Sequence, residues 1–78
     1  MKIRLLNKKD NNVFYLSGYR TYPIKGKDEN IYVFSYTKES DKAHEFTSKL
    51  RGMSVMRELK SSVKRDKKEN DWEITLTH

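Results

Sequence analysis

Seventy-eight residues are expected to form one small domain, and a chain this short buries only about 60–65% of its unfolded surface, so the core must be thin. There is no cysteine, which excludes disulfides and thiolate zinc sites, and the two histidines, His44 and His78, are too far apart for a zinc-ligand pair; neither metal nor cofactor is expected. Seventeen Lys and Arg against eleven Asp and Glu leave a net charge of +6 and a pI near 9.6, a balance that attracts polyanions or, more plainly, keeps a small domain soluble.

The opening MKIRLLNKKD has too short an apolar run for a signal peptide, and no stretch approaches the roughly 20 apolar residues of a membrane span, so a soluble, cytoplasmic protein with no membrane partner is expected. Lys2 to Leu6 (KIRLL) alternates, with Ile3 and Leu5 on one face, and predicts a first strand. The polar run NKKDNN is a turn. Val13 to Tyr22 is rich in β-branched and aromatic residues and predicts a second strand, interrupted at Gly18, where a bulge or a close approach is expected, and ended by Pro23. KGKDEN is a hairpin loop, and Ile31 to Tyr36 is the third strand.

The period then changes. Thr37 to Ser40 offers helix caps, Glu39 and Asp41 suit a first turn, and Ala43, Phe46, Leu50 and Met53 recur at helical spacing. Met56, Leu59 and Val63 recur likewise but lie about 100–150° around the helix from the first set. The change falls at Gly52, so one helical segment, kinked or split there, is expected. Lys64 to Asp71 is a charged helix end and loop, and Asp71 to Thr77 alternates as a fourth strand with Trp72, Ile74 and Leu76 on its apolar side. The order β-β-β-α-β defines a two-layer α+β fold with a four-stranded, mainly antiparallel sheet over residues 1–78, and Ile3, Leu5, Leu16, Val33, Phe46, Leu50, Trp72, Ile74 and Leu76 are its expected core.

All five tyrosines fall between Tyr15 and Tyr36, on the second and third strands, and neither strand has a purely polar face. One assignment turns Phe14, Leu16, Ile31 and Val33 inward and leaves Tyr15, Tyr19, Tyr32, Phe34 and Tyr36 outside, with Arg20 nearby, as a platform for unpaired bases or a protein-binding face. The reverse assignment buries Tyr32, Phe34 and Tyr36 with only their polar tips wet. Further on, RELKSSVKRDKK holds six basic and two acidic residues. On a helix Arg57, Lys60 and Lys64 form one ridge with Lys49 near the same side and Arg65 beside it, either a phosphate-tracking surface or a solvated face.

YRTY, the FSYTK boundary and Ala43 give the stretch from about Val13 to Leu50 a pattern that resembles the arm-type DNA-binding domains of tyrosine recombinases, where a three-stranded sheet precedes a helix. The resemblance implies a sheet that enters the DNA major groove, with Tyr19, Arg20, Tyr32 and Phe34 at the matching positions; the strand at Trp72 and the second helical half depart from that pattern. KLRGMSVMREL does not satisfy a helix-turn-helix, because the positions that must be apolar fall on Arg51, Glu58 and Ser61.

Neither a glycine-rich phosphate loop, a G-x-S-x-G element nor a paired histidine and nucleophile is present, so an enzyme is not expected. The first functional expectation is a non-enzymatic nucleic-acid-binding accessory or regulatory protein, of a kind unsurprising in a phage or mobile element, with DNA ahead of RNA as partner. Its contacts are the sheet residues named above with Lys49, Arg57, Lys60, Lys64 and Arg65. The alternative is a small protein-interaction module, an inhibitor or regulator binding an acidic or other host protein or forming a homodimer, through the aromatic sheet face or the apolar stripe Met53, Val55, Met56, Leu59 and Val63.

Overall fold

The structure, a computed structural model, describes residues 1–68 and 70–77; His78, and Glu69 within the charged loop, lie outside the described residues. The elements follow the expected order: β1 (Lys2–Asn7), β2 (Val13–Pro23), β3 (Asn30–Thr37), a 3₁₀ turn (Ser40–Lys42), α1 (Lys49–Arg65) and β4 (Trp72–Thr77). The four strands form one antiparallel sheet in the order β3-β2-β1-β4, with the helix as second layer, an α+β fold. Turn chemistry closes the hairpins: Asn11 takes a left-handed φ of 61° beside an Asp10 carboxylate that accepts from the Asn12 amide, and Gly26 takes φ 80° between β2 and β3. Among the described residues no helix is long and apolar enough to cross a membrane.

The sheet consists of two long ladders joined by a short one. β1 pairs with β4 from Lys2 to Asn7, and β2 pairs with β3 from Tyr15 to Pro23, but β1 and β2 share only Arg4 to Leu6 against Val13 to Tyr15. Beyond that point the strands part, and residues 44–46 bridge the gap: the His44 amide donates to the Leu16 carbonyl at 2.8 Å and the Phe46 amide to the Met1 carbonyl at 2.7 Å.

That bridging segment overturns the expected helix start. With the amides of His44 and Phe46 committed to the sheet, residues 43–48 cannot form i→i−4 bonds. Phe46 reaches the core from an extended strap, and the helix begins only at Lys49, where the Ser48 hydroxyl accepts from the Arg51 amide at 3.3 Å. The two apolar stripes therefore never shared one helix, and α1 runs unbroken through Gly52. Leu50, expected in the core, sits in the first turn and is 81% exposed.

Ile3, Leu5, Leu16, Phe46 and Ile74 are buried as expected, with Trp72 and Leu76 half-buried against them. Val55 and Leu59 complete the core from the helix. Ile3 faces Leu76 and Leu5 faces Ile74 across the β1–β4 ladder, and Phe14 lies opposite Leu5 and meets Trp72 edge-on at 5.8 Å, so these side chains share the inner face. α1 lies over this half of the sheet. A Cβ on Gly52 would stand 3.1 Å from a Leu76 methyl, so the glycine permits the close approach of helix to β4.

Val33 is a second correction, and Ile31 follows it. They are 49% and 54% exposed, on the outer face. The cause is a β-bulge: Leu16 pairs with Tyr36 but Gly18 with Ser35, so β2 carries one extra residue and its alternation reverses beyond Leu16. Tyr19 then joins Leu16 on the inner side, opposite Phe34, and β3 turns Tyr32, Phe34 and Tyr36 inward. Strict alternation through Gly18 put Tyr19 and Leu16 on opposite faces.

Candidate nucleic-acid interface

The bulge divides the expected aromatic site. Tyr19, Tyr32, Phe34 and Tyr36 line the inner face, whereas Tyr15 and Arg20 lie on the outer face with Arg4, Tyr22, Ile31 and Val33. Tyr19, Arg20, Tyr32 and Phe34, the set implied by the recombinase-arm resemblance, thus do not share a face. The inner rings also stack on one another: Phe46 on Tyr19 (6.3 Å between centroids), Tyr19 on Tyr32 (6.3 Å) and Tyr32 on Phe34 (5.9 Å). His44 meets Phe46 edge-on at 4.5 Å, which makes it part of this packing.

Between the β2–β3 hairpin and the helix runs a groove. One cavity of about 400 Å³ has Tyr19, Thr21 and Tyr32 on one wall and Leu50, Arg51 and Ser54 on the other. A second, of about 430 Å³, brings Asp28, Glu29 and Glu58 together with Arg65. Three carboxylates around one guanidinium disfavour a phosphate there. Arg65 therefore faces away from the other expected phosphate contacts.

Four of the other five helix cations do converge. α1 carries six basic residues and one acid, Glu58, so nearly all of the +6 resides on one element. At about 100° per residue, Lys49, Arg57, Lys60 and Lys64 fall within an arc of about 80°, while Arg51, Glu58 and Arg65 cluster about 140° away. All four ridge residues are exposed. The ridge spans about 22 Å at 1.5 Å per residue, the axial rise of about six phosphates on one duplex strand. Among the described residues the ion pairs are Met1–Glu45, Lys9–Asp71 and Lys42–Glu39, none of which draws on the ridge.

Sequence reasoning missed Lys8. The β1–β4 ladder and a bond from the Lys8 amide to the Asp71 carbonyl (2.7 Å) fix the strand end beside the helix. There Lys8 lines a cavity of about 390 Å³ with Lys60, Lys64, Trp72 and Glu73. The contact is long-range and has no local signature. The apolar stripe proposed for a partner is also divided: Val55 and Leu59 are buried in the core, Met56 and Val63 are half-buried, and only Met53 is well exposed, at 40%.

Among the described residues, two groups have shifted pKa values. Burial, and secondarily the Asp66 carboxylate, push the Tyr36 phenol up. The Glu45 carboxyl is held down by its hydrogen bond from the N-terminal ammonium, with Lys2 and His44 adding to the effect. No group of three or more His, Cys, Asp or Glu that could hold a metal ion comes together among the described residues.

An antiparallel four-stranded sheet with one basic helix is thus the class of fold that presents the ridge. Compared with family models, curated proteins and solved structures, the chain matches none.

Proposed function

We propose that the protein is a non-enzymatic, cytoplasmic nucleic-acid-binding accessory protein that lies along a duplex phosphate backbone through the exposed flank of α1. Lys49, Arg57, Lys60 and Lys64 are the phosphate contacts, with Lys8 flanking them. The observation that carries this reading is the alignment of four exposed cations on one rigid element that has a single acid on its far side. Duplex is favoured over single strands because Tyr19 and Tyr32 are stacked on neighbouring rings, which leaves Tyr36 as the one open ring of the inner face.

The test is fluorescence anisotropy with labelled duplex DNA, single-stranded DNA and RNA at several salt concentrations. Four phosphate contacts give a slope of about −3.6 in log K against log salt, or about a 150-fold loss between 50 and 200 mM. Lys60→Ala with Lys64→Ala should lower the slope by about two, and Arg65→Ala should leave it unchanged. Absence of duplex binding at low salt would end the proposal.

A second reading, a protein-interaction module, is favoured by the outer sheet face, where Tyr22, Ile31 and Val33 are about half exposed beside Arg20.

A further inference from the structure

β3 is an edge strand with features that ordinary edges avoid. Its eight residues, Asn30–Thr37 (NIYVFSYT), include no charge and no proline, the usual guards against pairing with another chain. The other edge, β4, is shorter and carries Glu73. The helix lies over β4 and β1, on the far side of the sheet, so the flank of β3 is sterically open.

We propose that β3 pairs with β3 of a second copy, antiparallel about a two-fold axis at Val33, to make one continuous eight-stranded sheet. The register follows from the backbone. The Ile24 amide donates to the Glu29 carbonyl at 3.0 Å, in the same register as the β2–β3 ladder. Alternation from that bond turns the peptide groups of Ile31, Val33 and Ser35 toward β2. Those of Asn30, Tyr32, Phe34 and Tyr36 then point outward, without a partner strand on that side. A two-fold axis at Val33 sets Asn30 against Tyr36 and Tyr32 against Phe34, which pairs these outward groups and keeps each face continuous. Val33 meets its own copy as a non-hydrogen-bonded pair, with Ile31 alongside, so the exposed outer side chains of the two copies pack against each other along the seam.

Charge complementarity supports a second copy as the occupant. The register sets Asp28 against the partner's Lys38 at both ends of the ladder; in the single chain Lys38 lies over its own Phe14 ring at 5.4 Å, and Asp28 and Glu29 share the groove with Arg65. Glu39 at that end is already engaged by Lys42 at 2.8 Å. A net charge of +6 on each copy opposes association, but the strand itself is uncharged, and of the α1 cations only Arg51 and Arg65 come near it, Arg65 among Asp28, Glu29 and Glu58. Both helices would lie on the same face of the joined sheet. The pairing does not rest on the nucleic-acid reading.

Sedimentation velocity of the full chain at tens to hundreds of micromolar is the test, with far-UV circular dichroism confirming that each variant is folded. The wild type should sediment as a dimer, Val33→Lys as a folded monomer, and Met53→Lys as a dimer. Val33→Cys tests the register: a pair on the axis has Cα atoms within the span of a disulfide, so mild oxidation should give a covalent dimer far faster than Ser61→Cys on the exposed helix. A monomeric wild type, a folded Val33→Lys that still dimerises, or equal cross-linking of the two cysteine variants would overturn the proposal.

Discussion

Leu50→Ala and Leu59→Ala make a paired experiment on where the helix begins. Leu59 has no exposed surface and Leu50 is 81% exposed, though both are leucines of one helix. Truncating a fully buried leucine costs about 2–5 kcal/mol, the transfer term plus the cavity left behind. A domain of this size has only about 4–12 kcal/mol of stability in total, so Leu59→Ala should remove a large part of it. Leu50 buries about a fifth of its surface, worth roughly 0.4 kcal/mol, and alanine has the better helix propensity, so that variant should lie within about 0.5 kcal/mol of wild type. Urea unfolding followed by far-UV circular dichroism resolves the difference. With a slope near 1 kcal/mol/M, the two midpoints should stand about 2 M apart or more. Comparable losses from the two variants would refute the reasoning, because they would mean that the first turn of α1 faces the sheet, as a continuous helix from Ser40 requires.

Two further outcomes follow from the backbone and from Tyr36. A Cβ on Gly18 meets nothing within 4 Å, whereas Gly26 has φ 80°, so Gly18→Ala should be neutral or stabilising by up to about 1 kcal/mol and Gly26→Ala should cost about 1–2 kcal/mol, both measurable by thermal or urea melts. Tyr36 should titrate above its ordinary value of 10.0, read at 295 nm as the difference between wild type and Tyr36→Phe. Because its folded pKa is raised, its contribution is fully present below pH 10.0 and is lost as pH rises through the folded value. Asp66→Asn should lower that midpoint but leave it raised, since burial is the larger cause. A Tyr36 that titrates at or below 10.0 would contradict the half-buried setting.

The strands and turns were legible because their signals are local. Alternation in KIRLL and DWEITLT, Asn and Asp at the first turn, and Gly26 at the second each act within a few residues. Gly18 marked the place of the bulge, but its consequence was not legible: one extra residue in β2 reverses every side chain after Leu16. Nor was the helix start, because Ala43, Phe46, Leu50 and Met53 imitate a helical face while the amides of His44 and Phe46 are spent on Leu16 and Met1, far away in sequence. The basic ridge could be read because all four of its residues lie on one helix. Lys8 and the division of the aromatics could not, since both depend on strand pairing.

The β1–β4 ladder sets Lys2 opposite Thr77, the most distant residues the sheet joins. Closing a loop of that length must precede any gain from the contacts it makes, so this ladder is the slow, nonlocal step of folding, whereas the β2–β3 hairpin can form by itself. During synthesis, Val55 and Leu59 emerge before Trp72–Thr77, so the part of the apolar side of α1 that packs on β4 stays uncovered until that strand has been made. Packing is thus completed only when β4 pairs with β1 and brings Ile74 into the core.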